Sequence, residues 1–270
     1  MKCTILLTCA CLCQSIYAQK IHLNTFVGVA NYDGDLQPKR FTFNQAKFAF
    51  GAGLSYELSD KIFIRSELRF AKISADDKFN NKIRNLNFTS KIYDGQLVSE
   101  YYFRNLYDYT ISPYVFAGIG IYHFNPTTKD TAGNKIYLQP LSTEGEGFYQ
   151  NRKVYNLIQL SIPFGGGIKF ALNKNIRAGI EIGMRKLFID YLDDVSTTYV
   201  DKNLLLNNRG VKAVELAFRG NGTYPPDGSQ RGSSKNKDWY YFIGISTSFR
   251  IVWMETKRYH SKTGCPASVN

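Results

Sequence analysis

Residues 239–251 read WYYFIGISTSFRI and alternate in character along their length. Successive strand side chains point to opposite faces, which sets Tyr241, Ile243, Ile245, Thr247, Phe249 and Ile251 on one side. Phe242, Gly244, Ser246, Ser248 and Arg250 fall on the other. One face is greasy and the other mostly small or charged. A soluble sheet turns its greasy face toward a core, whereas a membrane barrel turns it toward lipid and fills a narrow lumen with small and polar groups.

Seven further segments repeat this period-two rhythm, at about 21–31, 46–58, 61–72, 88–103, 111–124, 156–171 and 176–191, so that with 238–251 the chain holds eight. Each is long enough to cross a bilayer at a tilt, which takes about 9–11 residues. The bulky faces are consistent: Phe48, Phe50, Leu54 and Tyr56; Ile62, Ile64, Leu68 and Phe70; Ile158, Leu160, Ile162, Phe164, Ile168 and Phe170; Ile180, Ile182 and Met184. An eight-stranded barrel has an interior only just wide enough for side chains to fill, and turning all this volume inward would overpack it. The opposite faces fit there: Gly51, Gly53 and Ser55; Arg65, Glu67 and Arg69; Asp94, Gln96 and Glu100; Gly165, Gly167 and Lys169; Arg177, Gly179, Glu181 and Gly183. The fifth strand is ambiguous, with Tyr114, Phe116 and Tyr122 sharing a face with Gly118 and Gly120. Pro163 cannot donate a ladder hydrogen bond and suggests a bulge in the sixth.

Connection lengths give an independent indication. Links after strands one, three, five and seven are long (about 32–45, 73–87, 125–155 and 192–237), while those after two, four and six are short. That asymmetry is the mark of outer-membrane barrels, with short periplasmic turns and longer outer loops. The expected fold is therefore all-β, an eight-stranded antiparallel transmembrane β-barrel. Tyr101, Tyr102, Tyr191, Trp239, Tyr240 and Trp253 lie near strand ends and suit interfacial girdles. In loop four, Val211, Val214, Ala217 and Phe218 have helical spacing, so a short amphipathic helix is expected within 204–218. Residues 221–238 are turn-rich.

The first residues, MKCTILLTCACLCQSIYAQ, carry one Lys, an apolar run from Ile5 to Cys13 and a cleavage site after Ala18, the layout of a secretory signal. The expected division is thus 1–18 signal peptide, 19–251 barrel and 252–270 C-terminal tail in the periplasm. Four of the five cysteines leave with the leader, so Cys265 remains as a single thiol and no internal disulfide forms. Removing Lys2 lowers the formal charge from +12 to +11. Those charges are interspersed with acids, as in Arg65-Ser-Glu67-Leu-Arg69, and form no basic stripe, which argues against nucleic acid. Anionic lipid headgroups or an acidic partner suit the charge better.

Little in the sequence points to catalysis. Of three histidines, His22 opens the first strand, His260 lies in the tail and His123 alone falls near the outer rim. Asp193 and Asp194, after Asp190, could form an acid pair at the outer end of strand seven, or simply cap a loop. No EF-hand loop, nucleotide loop, metal-spaced Cys/His cluster or nucleophile elbow is present, so neither cofactor nor metal is expected. Mutual neutralisation, not conduction, is the simpler reading of the lumenal charges.

The stretch DYLDDVSTTYVD at 190–201, a following Arg-Gly, and KDWYYFIGISTSFRI at 237–251 resemble a PorG-like family of small outer-membrane β-barrels associated with the type IX secretion system. The motif residues are Asp190, Asp193, Asp194, Ser196, Tyr199 and Asp201. The resemblance implies a non-enzymatic scaffold that anchors periplasmic ring components of the secretion apparatus to the outer membrane. Expected partners are outer-membrane lipid and those ring proteins, with no nucleic acid and no small-molecule substrate. The tail adds Lys257, Arg258 and Cys265 as candidate partner-binding residues. The alternatives are an orphan surface barrel acting as adhesin or ligand-binding protein, and a rim enzyme using His123 or Asp193 and Asp194.

Overall fold

The computed structural model describes residues 21–37, 42, 44–79, 83–149 and 151–251. Eight long strands form the barrel: β1 (Ile21–Asp33), β2 (Lys47–Ser59), β3 (Ile62–Asp76), β4 (Asn87–Tyr102), β5 (Ile111–His123), β8 (Ile158–Ala171), β9 (Ile176–Leu187) and β10 (Trp239–Arg250). Each pairs antiparallel with its chain neighbour, and β1 also pairs with β10, from His22 opposite Arg250 to Asp33 opposite Trp239. This last pairing closes the sheet, so no barrel strand leaves an open edge. The fold is a closed eight-stranded antiparallel transmembrane β-barrel.

Polar turns join the strands at the end where the described chain begins and finishes. Asn173 Oδ1 accepts from the backbone N–H groups of Asn175 and Ile176 at 2.8 Å each, an Asx turn that reverses the chain between β8 and β9. Ser112 Oγ and Asn105 Oδ1 do the same for the N–H groups of Arg104 and Tyr107 between β4 and β5. At the other end the connections are long and structured. The third carries a hairpin, β6 (Pro126–Lys129) and β7 (Lys135–Tyr137), which extends β4 through Thr89 opposite Thr127. The fourth carries α1 (Lys202–Arg209) and α2 (Val211–Ala217). Loop four thus holds two short helices where the spacing suggested one. Asp201 caps α1 by accepting from Leu204 N at 2.9 Å, and Gly210 at φ 81° separates the two. Phe218 lies just beyond α2 in extended backbone and packs edge-on against Tyr199.

The outer wall is a continuous apolar belt. Leu68 is 73% exposed, Ile119 69% and Leu160 64%, and Val27, Leu54, Leu97, Ile180 and Ile245 carry the belt across the remaining strands. Soluble monomers rarely expose contiguous apolar patches beyond about a few hundred Å². A ring around all eight strands is a surface for hydrocarbon. Among the described residues no helix is long and apolar enough to cross a membrane.

Inside, the ambiguous fifth strand resolves by parity. Tyr114, Phe116 and Tyr122 point inward and are buried, while Val115, Ile119 and Ile121 face out. Two of these rings fit because glycines face them: a Cβ on Gly165 would lie 2.8 Å from Phe116 Cζ, and one on Gly167 2.9 Å from Tyr114 Cε1. Three aromatics leave the expected girdle: parity buries Tyr102 and Tyr240 in the lumen, and Tyr191, beyond the end of β9, stacks on Tyr155 at 4.9 Å among the long loops. Trp253 lies outside the described residues. Pro163 produces no bulge: pairing between β5 and β8 stops for two positions, between Ala117 opposite Phe164 and Gly120 opposite Ser161, and resumes in the same register. The ring absorbs its missing donor by a gap in the ladder. The one register shift falls instead near the tight turn, between Glu57 and Ser59.

Candidate functional site

Charged side chains from facing strands meet across the middle of the lumen. Glu181 on β9 accepts from Arg69 at 2.5 Å, from the Tyr114 hydroxyl at 2.7 Å and lies 3.0 Å from Arg65. Glu67, between the two arginines on β3, binds Arg65 at 2.8 Å and Arg69 at 2.9 Å, and Gln96 donates to it at 2.8 Å. Arg65 also reaches Glu100 at 2.8 Å. One level outward, Arg185 donates to Asp94 at 2.8 Å and to Gln96 at 2.9 Å, and Tyr240 donates to Asp94 at 2.7 Å. Aromatic faces sandwich the guanidinium groups, with Arg69 4.1 Å from the Phe26 centroid and Arg185 4.9 Å from that of Phe242. All of these charges are buried. Buried charge persists only when paired and hydrogen-bonded, and here the pairing runs across the barrel, so the network is a plug. Toward the short turns, Tyr107 donates to Glu57 at 2.6 Å and Arg177 lies over the Tyr107 ring.

The outer mouth is closed by the long loops, and the motif residues of 190–201 sit in this cap. Asp193 accepts from the Tyr32 hydroxyl at 2.6 Å and the Val195 N–H at 2.9 Å. Asp194, in the left-handed region at φ 68°, accepts from Thr143 at 2.6 Å and Tyr155 at 2.7 Å. Ser196 donates to Asp190 at 2.9 Å, and Asp201 caps α1. Tyr199 is buried and pairs its backbone with Ser229. Sequence reasoning missed the partners that complete the cap. Glu144, fully buried, accepts from the N–H groups of Ser196 and Thr197 at 2.9 and 2.8 Å and binds Arg231 at 3.0 Å. Arg231 also donates to the Asp194 carbonyl at 2.5 Å. Arg84 forks onto Asp77 at 2.7 and 2.8 Å and donates to the Arg231 carbonyl, tying loop two to loop four. The GEG run at 145–147 was a usable signal, with both glycines at positive φ, 85° and 89°.

Carboxylates outnumber cations in this cap, and their protons follow. Burial pushes the Asp190 carboxyl up to about 7, partly offset by the Ser196 hydrogen bond. Burial, reinforced by Asp194 and Glu144, lifts Glu146 to about 8. Asp194 rises to about 6, burial outweighing Arg231 and its two hydroxyl donors. Burial also raises Asp193 and Asp238, which lie on either side of the Tyr32 hydroxyl. Several of these groups hold a proton near neutral pH. Asp190 Oδ1 and Glu146 Oε1 have no hydrogen-bond partner among the described residues.

His123 is elsewhere. It faces outward on β5, 6.0 Å from the Tyr93 ring, and among the described residues no hydrogen bond links it to Asp193 or Asp194. The residues proposed for a rim enzyme are not brought together. Among the described residues no group of three or more His, Cys, Asp or Glu side chains is placed to hold a metal ion. Lys257, Arg258 and Cys265 lie outside the described residues.

Residues 1–208 match the family model described as "Domain of unknown function (DUF6089)". The chain belongs to the DUF6089 family. No curated protein matches this DUF6089 chain. Among solved structures it is similar to Neisserial surface protein A, with 9% identity, 86% of this chain and 97% of that one covered, and a TM-score of 0.44. It is also similar to OprG of Pseudomonas aeruginosa, at 12% identity, 86% and 98% coverage and a TM-score of 0.44. A third is the attachment invasion locus protein Ail of Yersinia pestis in complex with the heparin analogue sucrose octasulfate, at 8% identity, 86% and 98% coverage and a TM-score of 0.42. All three are small surface or outer-membrane proteins by description, and at such identities nothing of their function passes to this DUF6089 member.

Proposed function

We propose that this DUF6089 barrel is a non-conducting, non-enzymatic scaffold of the outer membrane that anchors periplasmic ring components of a protein-secretion apparatus of the type IX, PorG-like kind. The observation that supports it is the sealed interior: a lumen filled by paired charges and rings, under a mouth closed by hydrogen-bonded loops, leaves the outside of the barrel and its ends to do the work. A barrel of this type places its short turns and both termini in the periplasm, where the basic tail with Lys257, Arg258 and Cys265 would meet a ring. Resemblance of the 190–201 motif supplies the kind of apparatus. Affinity purification from gently solubilised outer membranes should recover ring proteins with the full chain. Deleting 255–270 should lose them while the barrel stays in the membrane; ring recovery undiminished by the deletion rejects the tail as anchor, and recovery of the full-length barrel alone rejects the scaffold.

The hydrogen-bonded outer cap favours one second reading, a surface adhesin or ligand-binding barrel. In that case partners cross-link on intact cells to loops three and four and not to the tail.

A further inference from the structure

On the outer wall a ladder of rings runs across neighbouring strands, with Phe50, Phe70, Tyr93 and His123 as successive cross-strand partners. Phe48 and Phe50 of β2 are 6.0 Å apart, Phe50 and Phe70 of β3 5.3 Å, Phe70 and Tyr93 of β4 5.2 Å, and Tyr93 and His123 of β5 6.0 Å. Such a girdle marks the boundary between hydrocarbon and headgroups. Two residues farther toward the loop end, on the same outward faces, stand Lys72 and Lys91. With a rise of about 3.4 Å per residue they sit roughly 7 Å along the strand beyond the rings, at headgroup height.

These lysines line a cleft of about 970 Å³ between the wall of β3 and β4 and the hairpin β6–β7. Seven cationic side chains line it against two carboxylates. Both carboxylates are engaged, Asp76 with Lys78 at 3.3 Å and Asp130 with Lys212 at 3.4 Å. Lys72 is the direct cross-strand partner of Lys91, and Lys129 that of Lys135. Like charges directly opposite destabilise a sheet, and two such pairs facing one cleft form a surface whose repulsion an anion would convert to attraction. Among the described residues Lys47, Lys72, Lys91 and Lys129 have no ion-pair partner. Arg219, donating to Thr128 at 3.1 Å, closes the cleft from loop four.

We infer that this cleft binds the phosphoryl groups of a phosphorylated glycolipid in the outer leaflet, with the acyl chains lying on the Phe50, Phe70 and Tyr93 rings below. A lipid source fits better than a soluble phosphate because the cationic cleft continues directly into the lipid-facing girdle. The inference rests on the membrane placement and is independent of the scaffold role, since ring recovery is not read in its test.

The test uses the full mature chain in a neutral detergent, with native mass spectrometry counting retained lipid A in its bis-phosphorylated form, the same lipid after dephosphorylation, and inorganic pyrophosphate as competitor. The expected result is one retained bis-phosphorylated lipid, at least tenfold weaker binding in Lys72→Gln/Lys91→Gln, and unchanged binding in Lys61→Gln/Lys174→Gln, which removes as much charge at the opposite end. Folding of each variant is checked by its heat-dependent shift on a gel. The cleft is rejected if the wild type retains no lipid A, if the Lys72/Lys91 variant binds like wild type, or if the dephosphorylated lipid binds equally well. Pyrophosphate displacing the lipid at equal affinity keeps the phosphoryl site and overturns the lipid as its source.

Discussion

The residues that decide how this barrel responds to its surroundings are buried acids, and they act differently in the wall and in the cap. In the wall, Glu181 neutralises both Arg65 and Arg69 while fully buried. Removing one member of a buried pair leaves uncompensated charge, so Glu181→Ala should cost about 3–5 kcal/mol in urea unfolding from lipid vesicles. A loss under about 1 kcal/mol would show that water already enters the plug. In the cap, Asp190 faces Ser196, with Asp35, Glu144 and Lys237 nearby, and its proton leaves at about 7, against about 4 for an ordinary carboxyl. The folded cap therefore binds more protons than the unfolded chain across that interval, and its stability falls as pH rises through the values of Asp194, Asp190 and Glu146, about 6, 7 and 8. Hydrogen exchange at 143–146 and 190–196, corrected for intrinsic rate, should show protection at pH 5.5 that declines by pH 8.5, with Asp190→Asn flattening the decline. Equal protection at both values would mean that the cap does not open through these groups.

At the scale of a strand, period two carries most of the information. Most barrel strands were legible because the bulky face, such as Leu68 with Phe70 or Ile180 with Ile182, alternates with Gly, Arg or Glu, and no core could house so much volume. Where both faces are bulky, as in β5, sequence alone cannot assign sides; the answer lies on β8 and β9, whose Gly165, Gly167 and Gly183 make room for Phe116 and Tyr114. The cap was least legible. Its partners, Glu144 with Ser196 or Arg84 with the Arg231 carbonyl, come from different loops, and no local period joins them. Two substitutions separate lipid face from lumen face. Leu68→Arg, on the lipid side, should cost about 2–4 kcal/mol if it lies near the midplane. Gly165→Ala, inside, brings a Cβ to 2.1 Å from the Ile182 carbonyl oxygen and 2.8 Å from Phe116 Cζ, an overpacking worth about 1–3 kcal/mol. Both are read as unfolding midpoints in vesicles, and a tolerated Leu68→Arg would contradict the lipid assignment of that face.

For the whole molecule, closure and filling act together on transport. An eight-stranded barrel leaves space for little more than its own side chains, and here that space holds ion pairs bridging β3 to β9 and β4 to β9, with rings stacked on the guanidinium groups. An ion crossing the lumen would have to part Arg69 from Glu181 and Arg185 from Asp94, leaving each charge unpaired in a low-dielectric interior, then pass the loop cap held by Glu144 and Arg231. Planar bilayers holding the purified barrel should therefore show no discrete conductance steps in salt solution. Combining Arg65→Ala, Glu67→Ala, Arg69→Ala and Glu181→Ala removes matched charge from the same level, two cations and two anions, so steps in that variant alone, with the wild type silent, would locate the seal in the plug. Silence in both would shift the seal to the cap, whereas regular steps from the wild type would show that the paired charges line a path and that the barrel conducts.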